Sequence, residues 1–128
     1  MPILQIELVE DEEPAESPDP ELTRRLADAA AAALDAPGRT WVRLRWLARH
    51  AYCEDGGLPD GVRPVFVEVL LARRPPQAEL RERARALAAA LATVCGRPVE
   101  NVHVLFQEDA AGRIAFGGEL VEAPPGAG

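Results

Sequence analysis

The sequence predicts an α+β fold in which two tandem βαβ units build a four-stranded mixed sheet with two helices on one face. Three observations carry this expectation. Strand, helix and strand patterns follow one another twice along the chain, and the punctuation recurs with them: Pro2 opens the first unit and Pro64 the second, while Asp35-Ala36-Pro37 ends the first helix and Gly96-Arg97-Pro98 the second. Arg43 and His103 take matching places in the strands that follow the helices. Right-handed crossovers then put both helices on the same side. The opposite face is left bare, which predicts an oligomer whose interior is lined by sheet faces.

The first strand, PILQIELVE at 2–10, alternates Leu4, Ile6 and Leu8 with Gln5 and Glu7, as a half-buried strand does. An acidic loop runs to Asp19-Pro20, where Asp19 suits a helix N-cap and Pro20 the first helical position. Leu22, Leu26, Ala29, Ala30 and Ala33 recur at helical spacing until Asp35-Ala36-Pro37-Gly38 stops the run. TWVRLRWL at 40–47 alternates again, with Trp41, Arg43 and Arg45 on one face and Val42, Leu44 and Trp46 on the other. A glycine- and proline-bearing stretch follows as a loop or small extra hairpin. PVFVEVLLA at 64–72 is nearly continuous apolar sequence, as expected of a central strand covered on both faces. A second helix is expected over Gln77 to Cys95, with Leu80, Ala84, Leu87, Leu91 and Val94 on one side and Gly96 as its C-cap. NVHVLFQ at 101–107 reads as the fourth strand, and GRIAFGG at 112–118 as a terminal hairpin. The whole, 1–128, is one domain with pseudo-repeats at about 2–47 and 64–107.

Composition narrows the chemistry. The net charge is −7, which disfavours nucleic acid and anionic membranes as partners. All 14 basic residues are arginine and Ser17 is the only serine, so lysine Schiff bases, lysine-anchored cofactors and a serine triad are excluded. His50, His103, Cys53 and Cys95 have no metal-ligand spacing, so neither metal nor cofactor is expected. Two thiols and no apolar leader favour a reducing cytoplasm. What remains is a backbone group. Pro2 follows the first methionine, and removal of Met1 would leave a secondary amine at the start of a strand. An α-amino group titrates near 7.7–8.0, and burial beside arginines lowers that, leaving a neutral base.

PILQIELVE, the DAP that precedes WVRL, and GRIAFGGEL resemble the three signature stretches of 4-oxalocrotonate tautomerase, a short member of the tautomerase superfamily. Over positions 2–121 the chain resembles two such units fused, as in malonate semialdehyde decarboxylase and macrophage migration inhibitory factor. The resemblance implies a homotrimer with active sites near subunit boundaries, an oxo or enol acid substrate of the kind met in aromatic compound degradation, and Pro2 as proton shuttle. Pro64, the internal counterpart, is locked in an amide. Where the family has a substrate-binding arginine after the first strand, this chain has Asp11, Glu12 and Glu13; in the second copy Arg73 and Arg74 stand at that place and take the role. Arg43 matches the arginine of the post-helix strand, and Ile114 and Phe116 of the terminal segment would line the substrate pocket.

Tautomerisation is the first reading. Decarboxylation of a 3-oxo acid is the nearest alternative, needing a carboxylate near the proline. Dehalogenation or hydration would need a water-activating Glu108 with Tyr52 or His50. Outside enzymes, a ferredoxin-like binding or assembly module remains, in which Arg73-Arg74 is a charged helix-entry loop. Arg45 and His103 read as interface residues, Trp41, Trp46 and Phe106 as core or subunit contacts, and both cysteines as packing.

Overall fold

A computed structural model describes residues 1–123. Its main sheet has four strands, β1 (Ile3–Glu10), β2 (Trp41–Ala48), β3 (Val65–Leu70) and β4 (Val102–Phe106), in the order β2-β1-β3-β4. β1 runs parallel to β2, β3 runs parallel to β4, and the two pairs meet antiparallel at the centre, with Ile3 opposite Leu70 and Leu8 opposite Val65. Helices α1 (Pro20–Ala33) and α2 (Gln77–Cys95) are the crossovers. No described helix is long and apolar enough to cross a membrane.

The helices form where the sequence signals them. Asp19 caps α1 by accepting the Glu21 N–H at 2.9 Å, and Pro20 occupies the first turn. α2 ends on Gly96 at φ 66°, a left-handed conformation that costs glycine nothing. Leu26, Ala30 and Leu34 from the first crossover and Leu87 and Leu91 from the second pack on Leu4, Ile6 and Leu8 of β1 and Val65, Val67 and Val69 of β3. Full burial of such side chains contributes roughly 1.5–3 kcal/mol each before the entropy of ordering them is subtracted. The other face carries Gln5, Glu7, Trp41, Arg43, Arg45, Glu68, His103 and Leu105, and Trp41 and Leu105 are 50% and 59% exposed.

Three expectations shift. The stretch after β2 holds no extra hairpin: a single 3-10 turn, Arg49–Ala51, starts it, and Arg49 closes it by donating to the carbonyls of Val62 and, at 2.8 Å, Pro59. The terminal hairpin pairs β5 (Ala115–Phe116) with β6 (Glu119–Leu120), further along than 112–118. Gly117 at φ 58° and Gly118 at φ 88° supply the two positive dihedrals of a tight hairpin turn, so the chain reverses there. The third concerns the internal repeat. Laying the helix-facing side chains of the two halves on each other puts Leu4 on Val65. The same alignment puts left-handed Asp35 (φ 53°) on Gly96 and Ala36, which donates to Ala31, on Arg97, which donates to Ala92. Pro2 then falls on Arg63 and Ile3 on Pro64. Pro64 is therefore one residue out of step with Pro2, because side chains alternate faces along a strand.

Candidate active site

Pro2 sits buried at the lip of the sheet, its carbonyl accepting the Trp41 N–H at 3.0 Å. It forms part of the wall of a cleft of about 480 Å³ bounded by the end of α1, the start of α2 and the segment leaving β3; Asp35, Ala36, Arg39, Arg73, Arg74 and Arg83 are among its lining residues. The antiparallel register builds this cleft: β1 begins where β3 ends, so the first residues of the chain and the Arg73-Arg74 pair are brought together across more than half the sequence.

Four arginines converge here in a protein of net negative charge, and each is tethered through only part of its donor set. The C-terminus of α1 presents carbonyls that no further helical turn can satisfy. Arg83 donates to the Leu34 carbonyl at 2.9 Å and also pairs with Glu79 at 2.9 Å. Arg39 donates to the Asp35 carbonyl at 3.5 Å. Arg73 donates from Nη2 to the Glu122 carbonyl at 2.9 Å. Arg74 is held by Asp109, whose Oδ1 accepts both the Arg74 backbone N–H at 3.0 Å and its Nε–H at 2.8 Å. The Arg74 guanidinium and backbone N–H hold the Asp109 carboxyl below the usual aspartate range.

A second, apolar pocket of about 230 Å³ adjoins the first, walled by Ile3, Leu70, Ala110, Ile114, Phe116 and Val121. Met1 and Ala72 line both. The β5–β6 hairpin closes this pocket by laying Phe116 edge-on against Trp41, with ring centroids 5.3 Å apart and planes at 84°. A polar, arginine-lined compartment beside an aromatic and aliphatic one suits a small acid with an unsaturated or aromatic tail.

Of the residues singled out from sequence, Pro2, Arg73 and Arg74 share the first compartment, and Ile114 and Phe116 the second. Arg43 is absent from both: it points from the exposed face of β2, opposite Gln5. Tyr52, expected as a support for a water-activating Glu108, packs tilted against Phe66 with ring centroids 5.4 Å apart, toward the opposite end of the sheet, and Phe66 packs tilted against His103 at 5.5 Å. Its hydroxyl donates to Glu54 at 2.5 Å, and that bond, with the neighbouring carboxylate, pushes the phenol up to about 12. Sequence reasoning missed Asp35, Arg39, Arg83 and Asp109. Asp35 carried a legible signal, since a non-glycine residue in the left-handed helix stop is most often Asn or Asp.

No protein-family model and no curated protein matches the chain. Its fold is nonetheless that of several solved structures. A fused 4-OT, solved as an asymmetric trimer, superposes with a TM-score of 0.70 at 18% identity, covering 91% of this chain and 95% of that one. A macrophage migration inhibitory factor protein of Leishmania major, MIF2, superposes at 0.64 with 17% identity, over 94% and 97% of the two chains. A malonate semialdehyde decarboxylase inhibited by 3-bromopropiolate superposes at 0.62 with 23% identity, over 90% and 88%. The four-stranded mixed sheet with two helices is thus the fold seen in these three structures.

Proposed function

We propose that this chain is a keto-enol tautomerase for a small enol or oxo acid, with the amine of Pro2, freed by removal of Met1, as general base. One observation carries the reading: Pro2 is buried in the same cleft as Arg73 and Arg74. Nearby guanidinium groups disfavour a second cation, so the amine would be neutral and basic at working pH. It takes the proton from the enol hydroxyl; the oxygen's electrons become the carbonyl bond, and the carbon–carbon double bond takes a proton back from the prolinium at carbon. Arg74, with Arg73, holds the carboxylate and stabilises the oxygen as it gains charge. Ile114 and Phe116 pack on the apolar tail and exclude water.

Arg43 enters this scheme only from another subunit. The bare sheet face, with Trp41 and Leu105 half exposed or more, supports burial in an oligomer, and similar folds are solved as trimers. Light scattering on the eluting peak reads the mass: a trimer agrees, whereas a monomer removes Arg43 from the site.

The test has two steps. Intact mass establishes whether Met1 is lost; retention leaves Pro2 an amide, ends this mechanism and favours a binding module. Ketonisation of 2-hydroxymuconate or phenylenolpyruvate is then followed in wild type and Pro2→Ala, where kcat should fall about hundredfold or more. Equal rates would sink the assignment.

Decarboxylation of a 3-oxo acid is the second reading, and Asp35 favours it, since it supplies the carboxylate in the Pro2 cleft that such chemistry needs. Release of carbon dioxide from malonate semialdehyde, lost in Asp35→Asn while enol ketonisation persists, would select it.

A further inference from the structure

We propose that Asp109 is a positioning residue that aims Arg74 at the substrate carboxylate; the inference rests on the function proposed above. Arg74 is constrained three ways. Pro75 follows it and restricts its backbone to extended conformations. Its N–H and its Nε–H are both taken by one oxygen, Asp109 Oδ1, at 3.0 and 2.8 Å. Among the described residues neither Nη group has a partner, so the edge of the guanidinium away from Asp109 stays available for a carboxylate.

Asp109 is itself fixed. The chain leaving β4 stays hydrogen-bonded to the end of β3, with Gln107, Ala110 and Ala111 donating to Val69, Leu71 and Ala72 at 2.9–3.0 Å. Arg113 donates to the Asp109 carbonyl from Nε at 3.1 Å and from Nη2 at 2.9 Å. Asp109 lies outside the cleft wall, so its effect passes through Arg74. Arg73 lacks such a clamp: it is tied by one Nη to a carbonyl, and its side chain rather than its backbone carries the tie. Arg74, with its backbone and side chain both fixed, is the preorganised member of the pair and the principal carboxylate ligand.

Cinnamate has the skeleton and carboxylate of phenylenolpyruvate without the enol hydroxyl, so calorimetry with it reads carboxylate binding apart from turnover. Arg74→Ala and Asp109→Ala should each weaken cinnamate about tenfold and raise KM for phenylenolpyruvate by a similar factor, with kcat falling as well because the same guanidinium stabilises the oxygen as it gains charge. The double variant should be no weaker than Arg74→Ala alone, because the two residues act as one unit. Asp109→Asn, whose amide oxygen still accepts, should return to within about threefold of wild type. Asp109→Ala with wild-type affinity, with kcat lowered at unchanged KM as loss of folded protein would give, or with an effect additive to Arg74→Ala, overturns the role. Wild type that binds cinnamate through Arg74 yet ketonises nothing ends the tautomerase reading and leaves the positioning role standing; wild type that binds no cinnamate overturns the role as well.

Discussion

The two ends of the central strand pair are built from the same unit and finish differently. At the Pro2 end, Ala36 follows the helix stop, and its small side chain leaves the cleft open with arginines around it. At the Arg63 end, Arg97 stands in Ala36's place. It is 8% exposed and fills the equivalent space, donating to the Arg63 carbonyl at 2.9 Å, the Pro64 carbonyl at 3.2 Å and the carboxylate of Glu10. Glu10 also pairs with Arg63 at 3.2 Å. One helix stop therefore opens a site and the other closes it. The loops agree with the split: Glu12 and Glu13 follow β1 where Arg73 and Arg74 follow β3.

If the Arg63 end is structural, breaking it should cost stability. Arg97→Ala leaves Glu10 half-buried without its main partner and strips two strand-end carbonyls of a donor, so urea unfolding should report a loss of about 3–5 kcal/mol. A loss under about 1 kcal/mol would mean that the plug is ornamental. The Pro2 end should show the reverse. Ala36→Leu fills the cleft with an apolar side chain and should lower kcat/KM about hundredfold, the scale of effect that small misplacements produce, with the protein still folded by circular dichroism.

The smallest effect sharpens the comparison. Tyr52 is the only tyrosine, so absorbance of its phenolate reads one group. Its folded midpoint should lie at about 12. Because that is above the unfolded value, the Tyr52–Glu54 bond stabilises the fold fully below the ordinary tyrosine range and ceases to as pH rises through about 12. Glu54→Gln should bring the midpoint down toward about 10. A midpoint already near 10 in wild type would mean the hydroxyl is not held there.

The fold was readable because its determinants are local. α1 and α2 begin and end at residues whose backbone chemistry is decided by their neighbours, whereas β3, expected to be covered on both faces, packs Val65, Val67 and Val69 under the helices and turns Phe66, Glu68 and Leu70 to the other face. The hairpin's displacement was legible too, in the adjacent Gly117-Gly118 pair, but the glycine at 112 drew the reading back. The tethers were not readable. Arg74 meets Asp109 across 35 residues, Arg83 meets Leu34 across 49 and Arg97 meets Glu10 across 87, and no periodicity links such positions. The one-residue slip between Pro2 and Pro64 has the same origin, since matching prolines by eye ignores which face each neighbour presents.

Met1 lines both the polar compartment and the apolar one while holding the Pro2 nitrogen in a peptide bond. Under the proposed mechanism the newly made chain behaves as a zymogen with a propeptide one residue long: a single cleavage both creates the base and takes away a side chain that lines both compartments. Any extension left at that end, a purification tag included, would keep the enzyme silent however well it folds.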